Sequence, residues 1–224
     1  MANPQRRRAV EVRFIAAMLA LAAIWLAMLL LGRGALDQNI YRSLYAGSRP
    51  ALVVVARIFT ALGEPTVLVG AGFIVAAWLW WRSRARLALA LLLVVLIGRG
   101  LAEVQKFSIE RPRPTLNPHL VVVKTWSFPS GHAASSMIFY LTLALALAPE
   151  GQWRRIAAAG AILLSLLIGI SRVMLGVHWP SDVVGGWSFG MLWVLLTLRR
   201  SEQLLRADSG TGQTLNRNSI TSPS

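Results

Sequence analysis

FIAAMLALAAIWLAMLLL, Phe14 to Leu31, is an unbroken apolar run of helix length, and its reading decides the fold. About 20 apolar residues in a helix cross the roughly 30 Å hydrocarbon core of a bilayer. Arg6, Arg7, Arg8 and Arg13 precede the run, and Gly32-Arg33 follows it. A secretory signal has a shorter apolar core and a small-residue cleavage site. This run is longer and ends in Leu29-Leu30-Leu31, so it reads as a retained transmembrane helix.

The pattern recurs outward from there. Apolar runs cover Thr66 to Trp81, Leu87 to about Val104, Ala133 to Leu147, Ile156 to about Val177, and Val183 to Leu198. Leu52 to Leu62 is also apolar but carries Arg57, so it either lies in the interface or extends the next span. Trp78, Trp80 and Trp81 form an aromatic belt before Arg82, Arg84 and Arg86, as at a cytoplasmic boundary. Arg154 with Arg155, and Arg199 with Arg200, mark two further inner flanks. No run alternates strictly, which argues against a β-barrel. The expectation is an all-α, polytopic bundle of six transmembrane helices. Residues 1–13 are then a cytoplasmic N-terminus and 14–200 the six-helix domain. Residues 201–224, rich in Ser, Thr, Asn, Gln and Gly, read as a disordered cytoplasmic tail.

Composition agrees. Of 224 residues, 55% are hydrophobic and only 14% charged, with a mean hydropathy of +0.57. Soluble domains carry about 25% charged residues, so too little polar surface remains to face water. The net charge of +14 is mostly arginine. Those arginines cluster between apolar runs, where membrane topology places them, so nucleic acid is not an expected partner. With no cysteine, thiolate chemistry, disulfides and Cys metal sites are excluded.

Three polar clusters interrupt this background, and the expected topology puts all three on one membrane face. The first is Lys106-Phe-Ser-Ile-Glu-Arg-Pro-Arg113-Pro114. The second is Pro129-Ser130-Gly131-His132, where the fourth run begins. The third is Ser171-Arg172, five residues, His178, three residues, Asp182. Lys106, Arg113 and Arg172 supply fixed positive charge, and Ser130 a hydroxyl. Gly131 lets backbone N–H groups approach an anion at a helix N-terminus. Asp182 is spaced to orient His178 and stabilise its charged form. His132 is left to protonate a leaving oxygen. The set suffices for phosphoryl transfer through a phosphohistidine, with the cations stabilising charge in the transition state without a metal.

These clusters resemble the signature of the type 2 phosphatidic acid phosphatase superfamily, which also holds vanadium haloperoxidases and glucose-6-phosphatase. That pattern is Lys, six residues, Arg-Pro; Pro-Ser-Gly-His; then Ser-Arg, five residues, His, three residues, Asp. It is matched at Lys106, Arg113, Pro114, Pro129 to His132, Ser171, Arg172, His178 and Asp182. Residues 14–200 are similar to the six-helix bacterial lipid phosphatases. The resemblance implies His178 as nucleophile, Asp182 as its partner and His132 as acid then base. Lys106, Arg113, Ser130, Gly131 and Arg172 would hold phosphate. It further implies no cofactor or metal, a lipid phosphate or diphosphate substrate, and an inner-membrane site facing the periplasm at the membrane–water interface. Undecaprenyl diphosphate, phosphatidic acid and phosphatidylglycerophosphate are the candidate substrates. The rivals are a vanadate-dependent haloperoxidase and a catalytically silent lipid-phosphate binding or transport protein.

Other charged residues have plainer readings. Arg111 falls outside the pattern and reads as a headgroup contact. Arg99 and Glu103, four apart on one helix face, read as a buried structural pair. His119 and Lys124 are assigned no role.

Overall fold

The structure, a computed structural model, describes residues 4–198. Arg199, Arg200 and the expected tail 201–224 lie outside the described residues. Among the described residues the chain is all-helical, with no strand. The helices are α1 (Pro4–Leu31), α2 (Ala35–Leu44), α3 (Pro50–Leu62), α4 (Pro65–Trp81), α5 (Ala85–Ile109), α6 (Gly131–Leu147), α7 (Gln152–Met174) and α8 (Pro180–Leu198).

The sequence sets their ends. α3, α4 and α8 open on proline, whose missing N–H costs nothing in a first turn. α5 stops where Glu110 turns left-handed (φ 49°), and Pro112 and Pro114 prevent its resumption. α7 ends before Gly176, at φ +80°. A side chain there would also meet the Tyr41 hydroxyl and the Pro118 carbonyl, each 3.2 Å from a Cβ.

Four helices are long and apolar enough to cross a membrane: α1 from Arg8, α5, α7 and α8. A fifth candidate is α3 with α4, bent by 43° at Gly63-Glu64. The run at Leu52–Leu62 thus joins the next run through a bend. α6, with 17 residues, is apolar but shorter than these. The region expected as mixed, 32–64, holds α2 and α3.

α6 is the centre of the bundle, packed by α4, α5 and α7. It is buried almost continuously from Gly131 to Thr142, as a helix apolar on all sides must be. Met137, Ile138 and Leu141 join Leu68 and Leu79 of α4, Leu91 and Val95 of α5, and Val194 of α8 in the main core. Large apolar side chains such as Leu30, Ile74, Trp80 and Trp81 stay exposed, which suits a lipid solvent.

α2 braces the start of α8. The buried carboxylate of Asp37 accepts hydrogen bonds from the Ser181 backbone N–H (2.8 Å), the Ser181 hydroxyl (2.6 Å) and the Arg33 N–H (2.7 Å). A carboxylate at a helix N-terminus satisfies orphan donors and complements the dipole.

Candidate active site

The three clusters meet at one end of the bundle. α5 and α7 deliver Lys106 and Arg172 from their last turns, while α6 and α8 begin there with Gly131-His132 and Ser181-Asp182. The connection 110–130 folds over them, and α4 starts there at Glu64-Pro65. A cavity of about 310 Å³ is lined by Lys106, Arg113, Gly131, His132, Arg172 and His178, with Thr60, Glu64 and Arg99 among its other walls. Asp182 and Ser130 sit behind this lining, both fully buried.

His178 lies in the turn between α7 and α8, itself buried. Its Nδ1 is 3.4 Å from Asp182 Oδ2 and 3.4 Å from Ser127 Oγ. Its Nε2 faces Arg113 Nη1 at 3.2 Å. A proton on Nδ1 directed at the carboxylate leaves the Nε2 lone pair on the cavity side. Burial, then the charges of Arg113, Arg172 and Lys106, hold the His178 pKa well below 6.5.

Asp182 is fixed from several directions. It accepts hydrogen bonds from Arg111 Nη1 (3.0 Å), the Trp179 backbone N–H (2.8 Å) and the Ser127 hydroxyl. Its own backbone carbonyl accepts from Ser130 N–H at 2.9 Å, tying α8 to the start of α6. Arg111 corrects the sequence reading: it is buried rather than at the headgroups. It also donates to Ser181 Oγ (3.1 Å) and to the Met28 (2.9 Å) and Leu29 (2.7 Å) carbonyls of α1, and lies over the Phe128 ring.

The two arginines are held by neutral groups, leaving their charge for a ligand. Arg113 donates to the Thr125 (2.7 Å) and Val177 (2.6 Å) carbonyls. Arg172 donates to Thr60 Oγ1 at 2.6 Å, and its buried Nε has no partner. Lys106 Nζ lies 3.4 Å from Thr125 Oγ1 and 3.9 Å from Glu103. At Gly131 a Cβ would approach Lys106 Nζ to 3.1 Å, a tight contact that would push the ammonium by a few tenths of an ångström. Ser130, the N-cap of α6, makes no side-chain cap bond, and its Oγ is buried without a partner. His132 Nε2 stands 3.1 Å from Glu64 Oε2, in a geometry that is not a hydrogen bond.

Arg99 and Glu103 are not paired as read: Glu103 turns to Lys106, and both Arg99 and Glu103 line the cavity. Ser127, Glu64 and Arg111 are the site residues that sequence reasoning missed. Ser127 and Arg111 sit two residues before Pro129 and Arg113, inside or beside the quoted clusters. Glu64 had one signal, an acid between two apolar runs. Among the described residues no group of three His, Asp or Glu is placed to hold a metal.

Unpartnered donors and fixed cations thus surround a buried His–Asp pair at one end of a bundle of apolar helices, an arrangement with the charge to hold an anion. Residues 85–206 match the PAP2 superfamily. Phosphatidylglycerophosphatase B of Bacillus subtilis is 33% identical over 174 residues, 76% of this chain and 85% of that protein. An undecaprenyl-diphosphatase of Sulfolobus acidocaldarius is 31% identical over 147 residues, 60% of this chain and 68% of its own. The crystal structure of the transmembrane PAP2-type phosphatidylglycerolphosphate phosphatase from Bacillus subtilis superposes with a TM-score of 0.74 at 30% identity, covering 83% of this chain and 96% of that one. The chain belongs to the PAP2 superfamily, as a multi-pass membrane phosphatase.

Proposed function

We propose that the protein hydrolyses a lipid phosphate monoester or diphosphate through a phosphohistidine on His178. The observation that carries this is the set of unpartnered polar atoms, Ser130 Oγ and Arg172 Nε, beside a His178 whose Nε2 faces the cavity and whose Nδ1 faces Asp182. A phosphoryl group entering the cavity would take up the free donors and the charge of Lys106, Arg113 and Arg172, and its oxygens would displace Arg113 from Nε2.

His178 Nε2 then attacks phosphorus. The bond to the leaving oxygen breaks, and that oxygen takes a proton from His132. Asp182 stabilises the imidazolium as the nitrogen–phosphorus bond forms. Next, His132 accepts a proton from water, whose oxygen attacks the phosphohistidine and releases inorganic phosphate. Glu64 Oε2 lies 3.1 Å from His132 Nε2, where its carboxylate faces the ring that carries this proton. The positive charge comes from side chains, so the scheme needs no metal.

The membrane reading is six crossings: α1, the bent α3–α4 pair, α5, α6, α7 and α8. The site then lies at the outer interface of a bacterial inner membrane and faces the periplasm. Phosphatidylglycerophosphate, undecaprenyl diphosphate and phosphatidic acid are the candidate substrates, the first two from the names of relatives. The test is phosphate release from these three lipids by detergent-solubilised protein and by His178→Ala. Release from at least one, abolished in the variant, is expected. Unchanged turnover by His178→Ala would falsify the nucleophile, and binding of the lipids without release would make the protein a silent binder.

A further inference from the structure

We propose that Arg99 forms a second anion subsite, which takes the inner phosphate of a lipid that carries two phosphates in series. The proposal rests on the phosphatase reading above and narrows its substrate class. Arg99 lies seven residues before Lys106, about two helical turns, and so on the same face of α5. Its Nη1 is buried and has no hydrogen-bond partner. An ionised group within a membrane helix is costly and marks a functional position. Neither acid of the cavity forms an ion pair with it: Glu103 pairs with Lys106 at 3.9 Å, and Glu64 Oε2 faces His132 at 3.1 Å.

Position gives Arg99 its ligand. It lines the catalytic cavity with His132 and His178. It also lines a separate groove of about 360 Å³ between α4 and α5, with Val69, Leu96 and Gly100. A Cβ on Gly100 would meet nothing within 4 Å, so this wall is open. Leu96 is 39% and Ile97 46% exposed on the same helix, as lipid-facing residues are. A lipid with its tail in the groove and its terminal phosphate at His178 passes Arg99 between the two. In a monophosphate that place holds an uncharged carbon chain. In a diphosphate it holds the inner phosphate, which is also the leaving group. When the outer phosphorus transfers to His178 Nε2, the bridging bond breaks, its electron pair stays on the bridging oxygen, and His132 protonates it. Arg99 neutralises the remaining charge of the departing monophosphate with a fork that suits phosphate oxygens.

The test compares an isoprenyl diphosphate with the isoprenyl monophosphate of the same chain length, in detergent micelles. The enzymes are the full chain, Arg99→Gln and Arg99→Lys. Charged hydrogen bonds contribute about 1.5–3 kcal/mol, so Arg99→Gln should lower kcat/KM for the diphosphate ~10–100-fold more than for the monophosphate. Arg99→Lys should fall between. An equal loss on both lipids makes Arg99 structural and overturns the proposal, as does no loss on the diphosphate. If Arg99→Gln does not fold, the Arg99→Lys ratio decides: a several-fold fall supports the subsite and an unchanged ratio removes it. Wild-type protein that releases phosphate from neither isoprenyl lipid overturns the subsite, while the phosphatase reading is then decided by release from phosphatidylglycerophosphate and phosphatidic acid. Release from both with an unchanged ratio in the variants removes the subsite alone.

Discussion

A buried imidazole surrounded by cations is kept neutral, which is what a nucleophile at neutral pH requires. For His178 the sign runs one way. Its pKa lies below 6.5, so its lone pair is available at pH 7 and is lost only as acid protonates the ring at lower pH. The ratio kcat/KM reports the free enzyme. Its acid limb should therefore fall below pH 6.5 once the substrate's own second ionisation, near about 6, has been titrated separately by phosphorus NMR and divided out. A corrected limb at or above 6.5 would mean that burial and the neighbouring cations do not lower the His178 pKa.

Arg111 gives a second prediction at this scale. Removing one partner of a buried ion pair strands the other, at about 3–5 kcal/mol. Arg111→Ala should lower both thermal stability in detergent and kcat, because Asp182 is 0% exposed and loses its guanidinium. Arg111→Lys should fold yet turn over slowly, since one ammonium cannot reach Ser181, Asp182 and the α1 carbonyls together. A headgroup arginine would change stability by less than about 0.5 kcal/mol in either variant. The quoted clusters are legible in the sequence because residue type and spacing alone carry them. Arg111 is not, because its partners lie 71 and about 80 residues away along the chain, on α8 and α1. Glu64 and His132 meet for the same reason only after α4 and α6 have packed.

Elements approach closely where the site demands it. α8 carries Gly186 and Gly190 four residues apart, and both face α6. A Cβ on Gly186 would sit 2.7 Å from the Ser130 carbonyl, and one on Gly190 would sit 2.9 Å from the Ala134 carbonyl. Small residues at this spacing let membrane helices touch backbone to backbone. Here the contact brings Asp182, at the start of α8, to Ser130 N–H at the start of α6. Gly190→Val should cost about 1–3 kcal/mol as overpacking and lower kcat more than it raises KM, by moving Asp182 relative to the start of α6. Thermal unfolding with steady-state kinetics measures both, and a variant of wild-type stability and rate would mean that α6 and α8 part without consequence. The apolar runs make the helices legible, but not the bend at Gly63-Glu64. Gly63 and Pro65 mark a break in the helix there, but its 43° angle is set only once α3 packs on α7 and α4 on α5.

At the scale of the molecule, direction along the chain alternates about the site. α1, α5 and α7 run toward it, while α4, α6 and α8 run away from it. Three helices thus begin at the site end, and the starts of α4 and α6 line the cavity with their positive dipole ends. The alternation supports six crossings although α6, at 17 residues, is about 25 Å long; sheltered among neighbours, it has less lipid to span. Arg8, Arg13, Arg82, Arg84, Arg86, Arg154 and Arg155 all sit at the opposite end, in short flanks. Arg33, Arg42 and Arg49 sit at the site end, but they belong to the longer region holding α2 and the start of α3. Short basic flanks set orientation, so the end away from the site should be cytoplasmic. A reporter active only in the periplasm, fused after residue 200, should be silent. The same reporter inserted in the connection 115–122 should be active, because that segment closes over the cavity. Activity at 200 with silence at 115–122 would invert the bundle and place phosphate release in the cytoplasm. Activity at both positions would leave an even number of crossings between them and remove α6 from the spans.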